Sequence, residues 1–599
     1  MKHKKKASEE KNHEHEKREH GFTIDPNILK KIKWSNVILA VIILIGFFGT
    51  FFFPTPMKTP GRVYNIDVPS IGYHNMKENE YLSQALNQWN YGDYLRRRMH
   101  IFGLDSGPGY FEEYPQMPLL PWMIISVWTM TGVQFWSARV IIILFSVATI
   151  PFLYLLVKKM TKDNEFIDSE YIALTAAFIY SILPLAVFFG RNIQPEAPAL
   201  FFLILGLYFY VKWIEDFKTK NIVFSGIALL MCAMFKPTFL IGIIPMFFVF
   251  PFSEIISKFK KEGKEKNEFV LERKKIILQL LYFAACFFPY FIWNWITATF
   301  LNTKETLFAG TSSRIDLFRI FTNTYWSEYW PSIYAYLQEA YGMWFLWLAL
   351  IGFAFILMKY KTLLSKFCIG YAIALIPYGM ILADYINQHS YYQMPFVPLI
   401  CICSAYCIYT IGVFIKELTK IKHIQYIALI ILLFTLPSAT ASTNIQYDTI
   451  FFGIDVGSNY IKSHTAPYER FFVEGESQTF GVCYNADRRC AEMSTVADLK
   501  MAEQQLNFTT GFVHVSRGGL QNLNQKPEML DYIQSNYRIT QIGLIPQGNG
   551  TYMQYIIVQK GGTSDLNDLT KNGILKTRPV LAKKYTTSYG SISFDTISE

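Results

Sequence analysis

Long runs of apolar residues alternate with short polar segments along the first 441 positions of the chain. Each run is close to the ~20 residues that a helix needs to cross a bilayer. The pattern predicts eleven spans, at about 35–53, 136–157, 171–189, 196–214, 221–235, 238–253, 276–299, 337–358, 362–383, 391–415 and 423–441. We therefore predict an α-helical multi-pass membrane protein, with a polar, disordered tail at 1–34 ahead of a membrane domain at 35–441.

The apolar stretch MPLLPWMIISVWTMTG at 117–132 is either a twelfth span or a helix lying in the membrane interface. Lysine positions decide between the two, because basic loops stay on the cytoplasmic side. Without this extra span, one side holds the lysine-rich tail and the basic loops 158–170, 215–220, 254–275, 359–361 and 416–422. We therefore predict eleven spans, an interfacial helix at 117–132 and a cytoplasmic N-terminus.

The pattern changes after residue 441, where long apolar runs stop. Segments such as GFVHVS and TYMQYIIVQK alternate as strands do, and VADLKMAEQQL and KPEMLDYIQSNY are typical of helices. We predict an extracytoplasmic α/β domain at 442–570 and a polar tail at 571–599. Cys483 and Cys490 fall in this domain, where an oxidising compartment permits a disulfide, and the sequence leaves that bond open.

Composition supports the membrane assignment. The chain is 51% hydrophobic and 17% charged, whereas a soluble protein carries roughly 25% charged residues. These values exclude a soluble enzyme, a disordered chain and a small disulfide scaffold. The net charge of +10 is concentrated in the tail and the cytoplasmic loops, so it indicates topology and gives no sign of a nucleic-acid partner.

The outer loop at 54–135 is too long for a simple connector, and such loops are usually functional. Leu82 and Leu86, with Ala85 between them, recur at helical spacing and predict an amphipathic helix at 77–92 on the membrane surface. Glu78 and Glu80 stand at its N-terminal end. The helix dipole favours acids there, which is a purely structural explanation for one of them.

Further polar residues stand beside the spans on the same outer side: Arg191, Glu196, Lys236, His389 and Tyr392. A snorkelling arginine, a first-turn glutamate and an aromatic belt are structural alternatives for three of these, but none of them explains His389. Carboxylates, two cations and a histidine beside apolar walls suit a reaction on a lipid-linked phosphate. A carboxylate would deprotonate an acceptor hydroxyl, and the cations would stabilise the leaving phosphate.

Five stretches together resemble the polytopic membrane glycosyltransferases of the GT-C class, most of all the branch of protein O-mannosyltransferases and bacterial aminoarabinose (ArnT-like) transferases. They are HNMKENEYLSQALN, EEYPQMPLLPWMI, GRNIQPEAPALFF, HSYYQMPFVPLI and TFGVCYNADRRC. No single stretch is very specific. Their order and their shared membrane side carry the resemblance.

The resemblance implies a GT-C fold and transfer of a monosaccharide from a polyprenyl-phosphate donor to a hydroxyl acceptor on the extracytoplasmic face, with inversion. An acid of the first outer loop would be the general base. This chain departs from the usual Asp-Glu pair, since it has Glu78-Asn79-Glu80. Either glutamate fits, and we favour Glu80 because it lies six residues after His74, as in a related version of the motif.

The resemblance also assigns further residues to the substrate site: Arg191 and Lys236 to the phosphate, Glu196 to substrate orientation, His389 and Tyr392 to the pocket border, and Glu113 as a weaker candidate. No metal-ligand cluster or cofactor motif stands out, and a need for a divalent cation is left open. The acceptor, which is a lipid, a glycan or a protein, and the sugar are not identified. A multi-pass lipid or sugar transporter or flippase without chemistry, and a non-catalytic scaffold, are the alternatives.

Overall fold

The computed structural model describes residues 33–100, 117–162, 168–252, 266–300, 318–474, 479–493, 495–505, 511–547 and 550–599. Nearly all of the predicted tail at 1–34 lies outside these residues, and so does Glu113.

The membrane domain is built from helices. They are α1 (Trp34–Phe48), α2 (Asn75–Tyr91), α3 (Leu119–Thr131), α4 (Phe135–Thr161), α5 (Ser169–Ile182), α6 (Pro184–Phe188), α7 (Glu196–Asp216), α8 (Thr219–Phe235), α9 (Ile244–Val249), α10 (Lys266–Phe300), α11 (Trp330–Leu357), α12 (Leu363–Ile381), α13 (Ala383–Gln388), α14 (Val397–Thr419) and α15 (Ile430–Asp448). Short 3₁₀ turns at Pro237–Ile243, Ser390–Phe396 and Ile424–Leu429 precede α9, α14 and α15.

Seven helices of the described residues are long and apolar enough to cross a membrane. Shorter apolar helices occupy the remaining predicted spans, for example α1 with 15 residues and α8 with 17. The chain is therefore a multi-pass membrane protein, as predicted. The exact number of spans and the orientation of the termini stay predictions.

Helix α3 coincides with the stretch for which the sequence left two alternatives. It has 13 residues, which is short of the ~20 that a crossing needs. Trp128 and Ile124 are buried, whereas Met130 is exposed. The Trp122 indole donates to the carbonyl of Tyr94 at 2.6 Å, which joins α3 to the outer loop. Its length favours an interfacial helix.

Arg62 fixes the start of the outer loop to the membrane domain. Its side chain is fully buried and donates to the hydroxyl of Ser146 at 2.7 Å. It also donates to the carbonyl oxygens of Gly46 at 2.9 Å and Ala186 at 3.0 Å. Carbonyl groups near helix ends lack partners within the helix, so one guanidinium satisfies several of them at once. The loop that follows Arg62 is thus held above α1, α4 and α6.

The C-terminal domain, which we predicted to lie outside the membrane and therefore call the outer domain, is a seven-stranded mixed sheet with helices beside it. Its elements are α16 (Ile454–Ser463), β1 (Arg470–Glu474), α17 (Thr479–Ala486), β2 (Arg489–Glu492), α18 (Val496–Gln505), β3 (Phe512–Ser516), α19 (Arg517–Asn524), α20 (Pro527–Asn536), β4 (Tyr537–Gln547), β5 (Gly550–Lys560), β6 (Val580–Thr587) and β7 (Gly590–Ser598). The strand order is β2-β1-β3-β5-β4-β7-β6, and β1 is parallel to both of its neighbours.

The segment 571–599, which we interpreted from its polarity as a tail, contains β6 and β7. Strand β7 pairs antiparallel with β4, where Ile542 faces Ile597, and β6 pairs with β7. Strand β6 is the edge of the sheet, and its residues Val580 and Leu581 are exposed. An edge strand needs little apolar burial, so its polar composition concealed it. The α/β domain therefore extends to these strands.

Candidate functional site

Helix α2 carries both glutamates that the sequence singled out. It begins after His74, which has a left-handed backbone (φ 54°), and its residues from Glu78 to Gln88 are buried. We expected this helix on the membrane surface, but its polar face is covered as well as its apolar face. Each residue of a helix turns the direction by about 100°, so Glu78 and Glu80 point to nearly opposite sides.

Glu78 faces α4. Arg139 of α4 contacts its carboxylate with two donors, Nε to Oε1 at 3.1 Å and Nη2 to Oε2 at 3.0 Å. The backbone N–H of Ile193 donates to Oε1 at 3.2 Å. Burial alone would raise the pKa of Glu78, but the Arg139 guanidinium holds it below its ordinary value. Glu78 is therefore a structural anion that joins α2 to α4 and to the segment before α7.

Arg191 lies close to this pair and is occupied by the outer loop. Its guanidinium donates to the carbonyl oxygens of Tyr64 and Asn65, the latter at 3.0 Å. Its Cζ atom lies 4.8 Å from the centroid of the Tyr447 ring. Arg139 holds the same loop through the carbonyls of Ile66, at 3.0 Å, and Val68. We call Glu78, Arg139 and Arg191 the arginine cluster.

Glu80 faces the other way. Its Oε2 accepts a hydrogen bond from Nζ of Lys77 at 2.6 Å. Arg97 lies further off, with Nη2 3.9 Å from Oε1 of Glu80, and donates to Gln84 from Nε at 2.5 Å. The Glu80 side chain is 3% exposed and that of Lys77 is 32% exposed. The lysine is thus the accessible partner of a buried carboxylate.

A second lysine–glutamate pair lies beside the first. Lys236 donates to Oε1 of Glu196, and its Nζ lies 4.5 Å from the ring centroids of both Tyr391 and Tyr392. Lys236 is extended (φ −155°) between α8 and Pro237, because the residue before a proline is driven out of the helical region. Oε2 of Glu196 is buried and has no hydrogen-bond partner among the described residues.

These two pairs form one group. Lys236 is within electrostatic reach of both Lys77 and Glu80, and Tyr391 is within reach of Glu80 and Glu196. We call Lys77, Glu80, Glu196 and Lys236 the lysine–glutamate cluster. Its formal charge is zero.

Two histidines border this cluster. The ring of His389 stacks on that of Tyr391 at 5.1 Å, and the ring of His74 lies 5.9 Å from His389. Nε2 of His74 is 3.2 Å from the hydroxyl of Ser390. Burial, and then the nearby His389, lower the pKa of His74 to about 3. His74 is therefore neutral at neutral pH and acts as a packed hydrogen-bonding group.

Sequence reasoning missed two residues that define the site. Lys77 has a simple signal, since a lysine three residues before a glutamate faces it on a helix. Arg139 has one too, because an arginine at the start of a long apolar span is costly without a function. The sequence gives no signal for which glutamate each of these cations contacts, because this depends on the side of α2 against which each cation packs.

Glu339 of α11 is a further, half-buried acid near the arginine cluster. It accepts from the hydroxyl of Tyr73 at 3.3 Å and from the amide of Gln446 at 3.1 Å. Within the described ranges, no group of three or more His, Cys, Asp or Glu side chains could hold a metal ion.

The outer domain forms part of the wall around α2. A disulfide joins Cys483 of α17 to Cys490 of β2, with Cα atoms 5.6 Å apart. The backbone N–H of Cys490 donates to the carbonyl of His100 at 3.1 Å. A Cβ atom on Gly481 would lie 3.1 Å from the amide nitrogen of Asn79, which stands between the two glutamates. The outer domain therefore contacts α2 close to both glutamates.

An apolar cavity of about 510 Å³ lies between α11, α12 and α14. Trp330, Leu337, Trp347 and Phe353 are among its lining residues. Leu337, which lines the cavity, and Tyr392, whose ring contacts Lys236, pack against the same small apolar group. An apolar cavity of this kind can hold part of a long apolar chain.

Comparison with solved structures decides the fold. The chain superposes on ArnT from Cupriavidus metallidurans in the apo state with a TM-score of 0.52 and 10% identity, over 90% of this chain and 99% of that one. It superposes on AglB, the oligosaccharyltransferase of Archaeoglobus fulgidus, in complex with an inhibitory peptide and a dolichol-phosphate, with a TM-score of 0.52 and 12% identity, over 89% of this chain and 75% of that one. The chain has the GT-C fold.

Two other comparisons bear on this GT-C protein. Residues 114–293 match the family described as dolichyl-phosphate-mannose-protein mannosyltransferase. ArnT bound to undecaprenyl phosphate is similar to the chain with a TM-score of 0.52 and 10% identity, over 89% of this chain and 99% of that one. No curated protein sequence matches the chain significantly. The resemblance predicted from the sequence is confirmed.

Proposed function

We propose that the protein transfers a monosaccharide from a polyprenyl-phosphate donor to a hydroxyl acceptor on the extracytoplasmic face of the cell membrane, with inversion. The observation that carries this proposal is the lysine–glutamate cluster, one of whose aromatic neighbours, Tyr392, shares an apolar contact group with the lining of the apolar cavity. Buried carboxylates next to ammonium groups are what a base-assisted displacement of a phosphate requires.

Glu80 is the proposed general base. The acceptor oxygen forms a bond to the anomeric carbon while its proton passes to the Glu80 carboxylate. The bond between that carbon and the phosphate oxygen breaks, and its electron pair stays on the leaving polyprenyl phosphate. Glu78 is less suited to this role, because both of its oxygens are held by Arg139.

We propose that Lys236 binds the donor phosphate and that Arg191 instead holds the outer loop. The donors of Arg191 are directed at the carbonyls of Tyr64 and Asn65. Glu196 would orient substrate through its second oxygen, and His389 and Tyr392 would border the sugar.

The lipid part of the donor is supported by what similar proteins bind. The ArnT structure contains undecaprenyl phosphate, and the AglB complex contains a dolichol-phosphate and a peptide. These ligands suggest a polyprenyl-phosphate donor here. These ligands do not identify the sugar, and the proposed acceptor is a lipid, a glycan or a protein.

The test uses full-length protein in liposomes with a panel of undecaprenyl-phosphate monosaccharides and membrane acceptors, with products followed by mass spectrometry. We expect released undecaprenyl phosphate and a glycosylated acceptor. Glu80→Gln should lower the rate by about 10²–10⁴-fold, the usual contribution of a general base, without a change in Tm. Donor that crosses the bilayer intact would instead identify a flippase. Full activity of Glu80→Gln would remove Glu80 as the base.

A further inference from the structure

Lys77 has no role in the reaction proposed so far, yet it is the most accessible charged group of the lysine–glutamate cluster. Its side chain is 32% exposed, against 14% for Lys236, 3% for Glu80 and 1% for Glu196. Lys236 is also held by two tyrosine rings. An incoming anion therefore meets the Lys77 ammonium with the least steric obstruction.

The contact between Lys77 and Glu80 hinders the proposed reaction. An ammonium that donates to a carboxylate oxygen occupies a lone pair of that oxygen, which the proton of the acceptor would otherwise use. In the structure Lys77 donates to Oε2 of Glu80 at 2.6 Å. Oε2 of Glu80 is fully available to an acceptor only after this contact is released.

We propose that Lys77 is a second ligand of the donor phosphate, and that it leaves Glu80 for this phosphate when the donor binds. Phosphate binding then frees Oε2 of Glu80, while Arg97 stays near Oε1. This inference rests on the function proposed above. It assigns a donor-dependent step to the same site.

The charges of the cluster agree with this exchange. The cluster is formally neutral, and the phosphodiester of the donor adds one negative charge. During transfer Glu80 takes the acceptor proton and becomes neutral, while the leaving phosphate gains a negative charge. The total is unchanged, and Lys77 and Lys236 face the growing charge of the phosphate as the charge of Glu80 disappears. Electrostatic stabilisation of this kind is strongest in a buried site.

The test compares two lipids that differ only in the presence of the phosphate group. Binding of undecaprenyl phosphate and of undecaprenol to full-length protein in nanodiscs is measured for the wild type, Lys77→Met and Lys77→Arg. We expect Lys77→Met to weaken binding of undecaprenyl phosphate at least about tenfold, equivalent to ~1.4 kcal/mol. Its affinity for undecaprenol should stay unchanged. Lys77→Arg keeps the charge and should restore most of the phosphate affinity.

Lys583→Met is the matched control. Lys583 pairs with Asp455 in the outer domain and has a side-chain exposure of 34%, close to that of Lys77. This variant should bind both lipids as the wild type does.

Equal affinity of wild type and Lys77→Met for undecaprenyl phosphate overturns the proposal, and so does an equal loss for both lipids, which indicates a packing defect. If Lys77→Met does not fold, failure of Lys77→Arg to bind undecaprenyl phosphate better than undecaprenol has the same meaning. The two proposals fail separately. Charge-dependent binding without any transfer rejects the transferase alone, whereas transfer that depends on Glu80 with unaltered binding in Lys77→Met rejects only the role of Lys77.

Discussion

Glu78 and Glu80 are two residues apart on one buried helix, and their surroundings differ in every respect that matters for chemistry. Glu78 is fixed by two donors of Arg139 and a backbone N–H. Glu80 has one short contact, to a lysine that solvent reaches. A fork-shaped guanidinium holds a carboxylate rigidly, whereas an ammonium on a flexible stem can exchange partners. The arginine cluster is therefore suited to a structural role, and the lysine–glutamate cluster is suited to catalysis.

The largest expected effect concerns the structural role of the arginine cluster. Glu78→Gln removes one partner of a buried ion pair and leaves Arg139 without its counter-charge, which typically costs about 3–5 kcal/mol of stability. We expect a clear fall in Tm, measured in detergent. The double variant Glu78→Leu with Arg139→Met should regain part of this loss, because no charge is left buried. An unchanged Tm for Glu78→Gln would show that the arginine cluster does not have this structural role.

The same pair predicts a dependence on pH. The folded pKa of Glu78 lies below its ordinary value of 4.5, so the unfolded chain takes up the proton first as the pH falls. The stability from this group is present above about pH 4.5 and is lost below it. Tm of the wild type should therefore fall more steeply between pH 5 and pH 3.5, roughly the window of this titration, than Tm of Glu78→Leu with Arg139→Met. Parallel curves would contradict this assignment.

A smaller effect distinguishes Lys236 of the lysine–glutamate cluster from Arg191 of the arginine cluster by their contributions to lipid binding. Lys236→Met should weaken binding of undecaprenyl phosphate by about tenfold, ~1.4 kcal/mol, because it removes a charge that faces the phosphate. Arg191→Met should lower Tm, since the carbonyls of Tyr64 and Asn65 lose their donors. Its lipid affinity, measured in nanodiscs, should change far less. The reverse order of affinities would return the phosphate role to Arg191.

The smallest expected effect lies between the clusters, at Asn79. In Gly481→Ala the new methyl group would lie 3.1 Å from the Asn79 amide, which forces a small shift of α2 or α17. We expect a rate reduction of a few fold, about 1 kcal/mol or less, with unchanged lipid binding. Gly573→Ala is the control, because no atom lies within 4 Å of a Cβ atom built there. Equal rates for both variants would show that the outer domain does not position α2.

Much of the architecture follows from periodicity. The predicted spans coincide with helical segments, and the strands GFVHVS and TYMQYIIVQK are β3 and β5, because apolar spacing reports which face is buried. The position of α2 was not predictable in this way. Leu82 and Leu86 mark its apolar face, but its polar face is covered by the segment 94–100, for example by Arg97, and near Asn79 by α17, nearly four hundred residues later in the chain. Only tertiary structure reveals that contact.

Part of the candidate site's membership was predictable from the sequence, although Lys77 and Arg139 were missed, whereas the pairing of its residues was not. Polar residues beside apolar spans stand out in the sequence: Glu80, Glu196, Lys236 and His389. The structure brings them together around the rings of Tyr391 and Tyr392. The sequence could not distinguish Arg191 from Lys236, since both are cations at the same boundary. Their difference comes from backbone carbonyls near Arg191, and carbonyls are invisible in a residue pattern.

The contact between α17 and α2 also has a consequence for the order of events during synthesis. Helix α17 follows α2 by nearly four hundred residues, which ribosomes add in about 20–80 s. For that time the helix with both acids lacks its outer cover, and long-range contacts of this kind form late. The nascent protein thus acquires its membrane body well before a finished site, so newly inserted chains should pass through an inactive interval before they can act on the lipid around them.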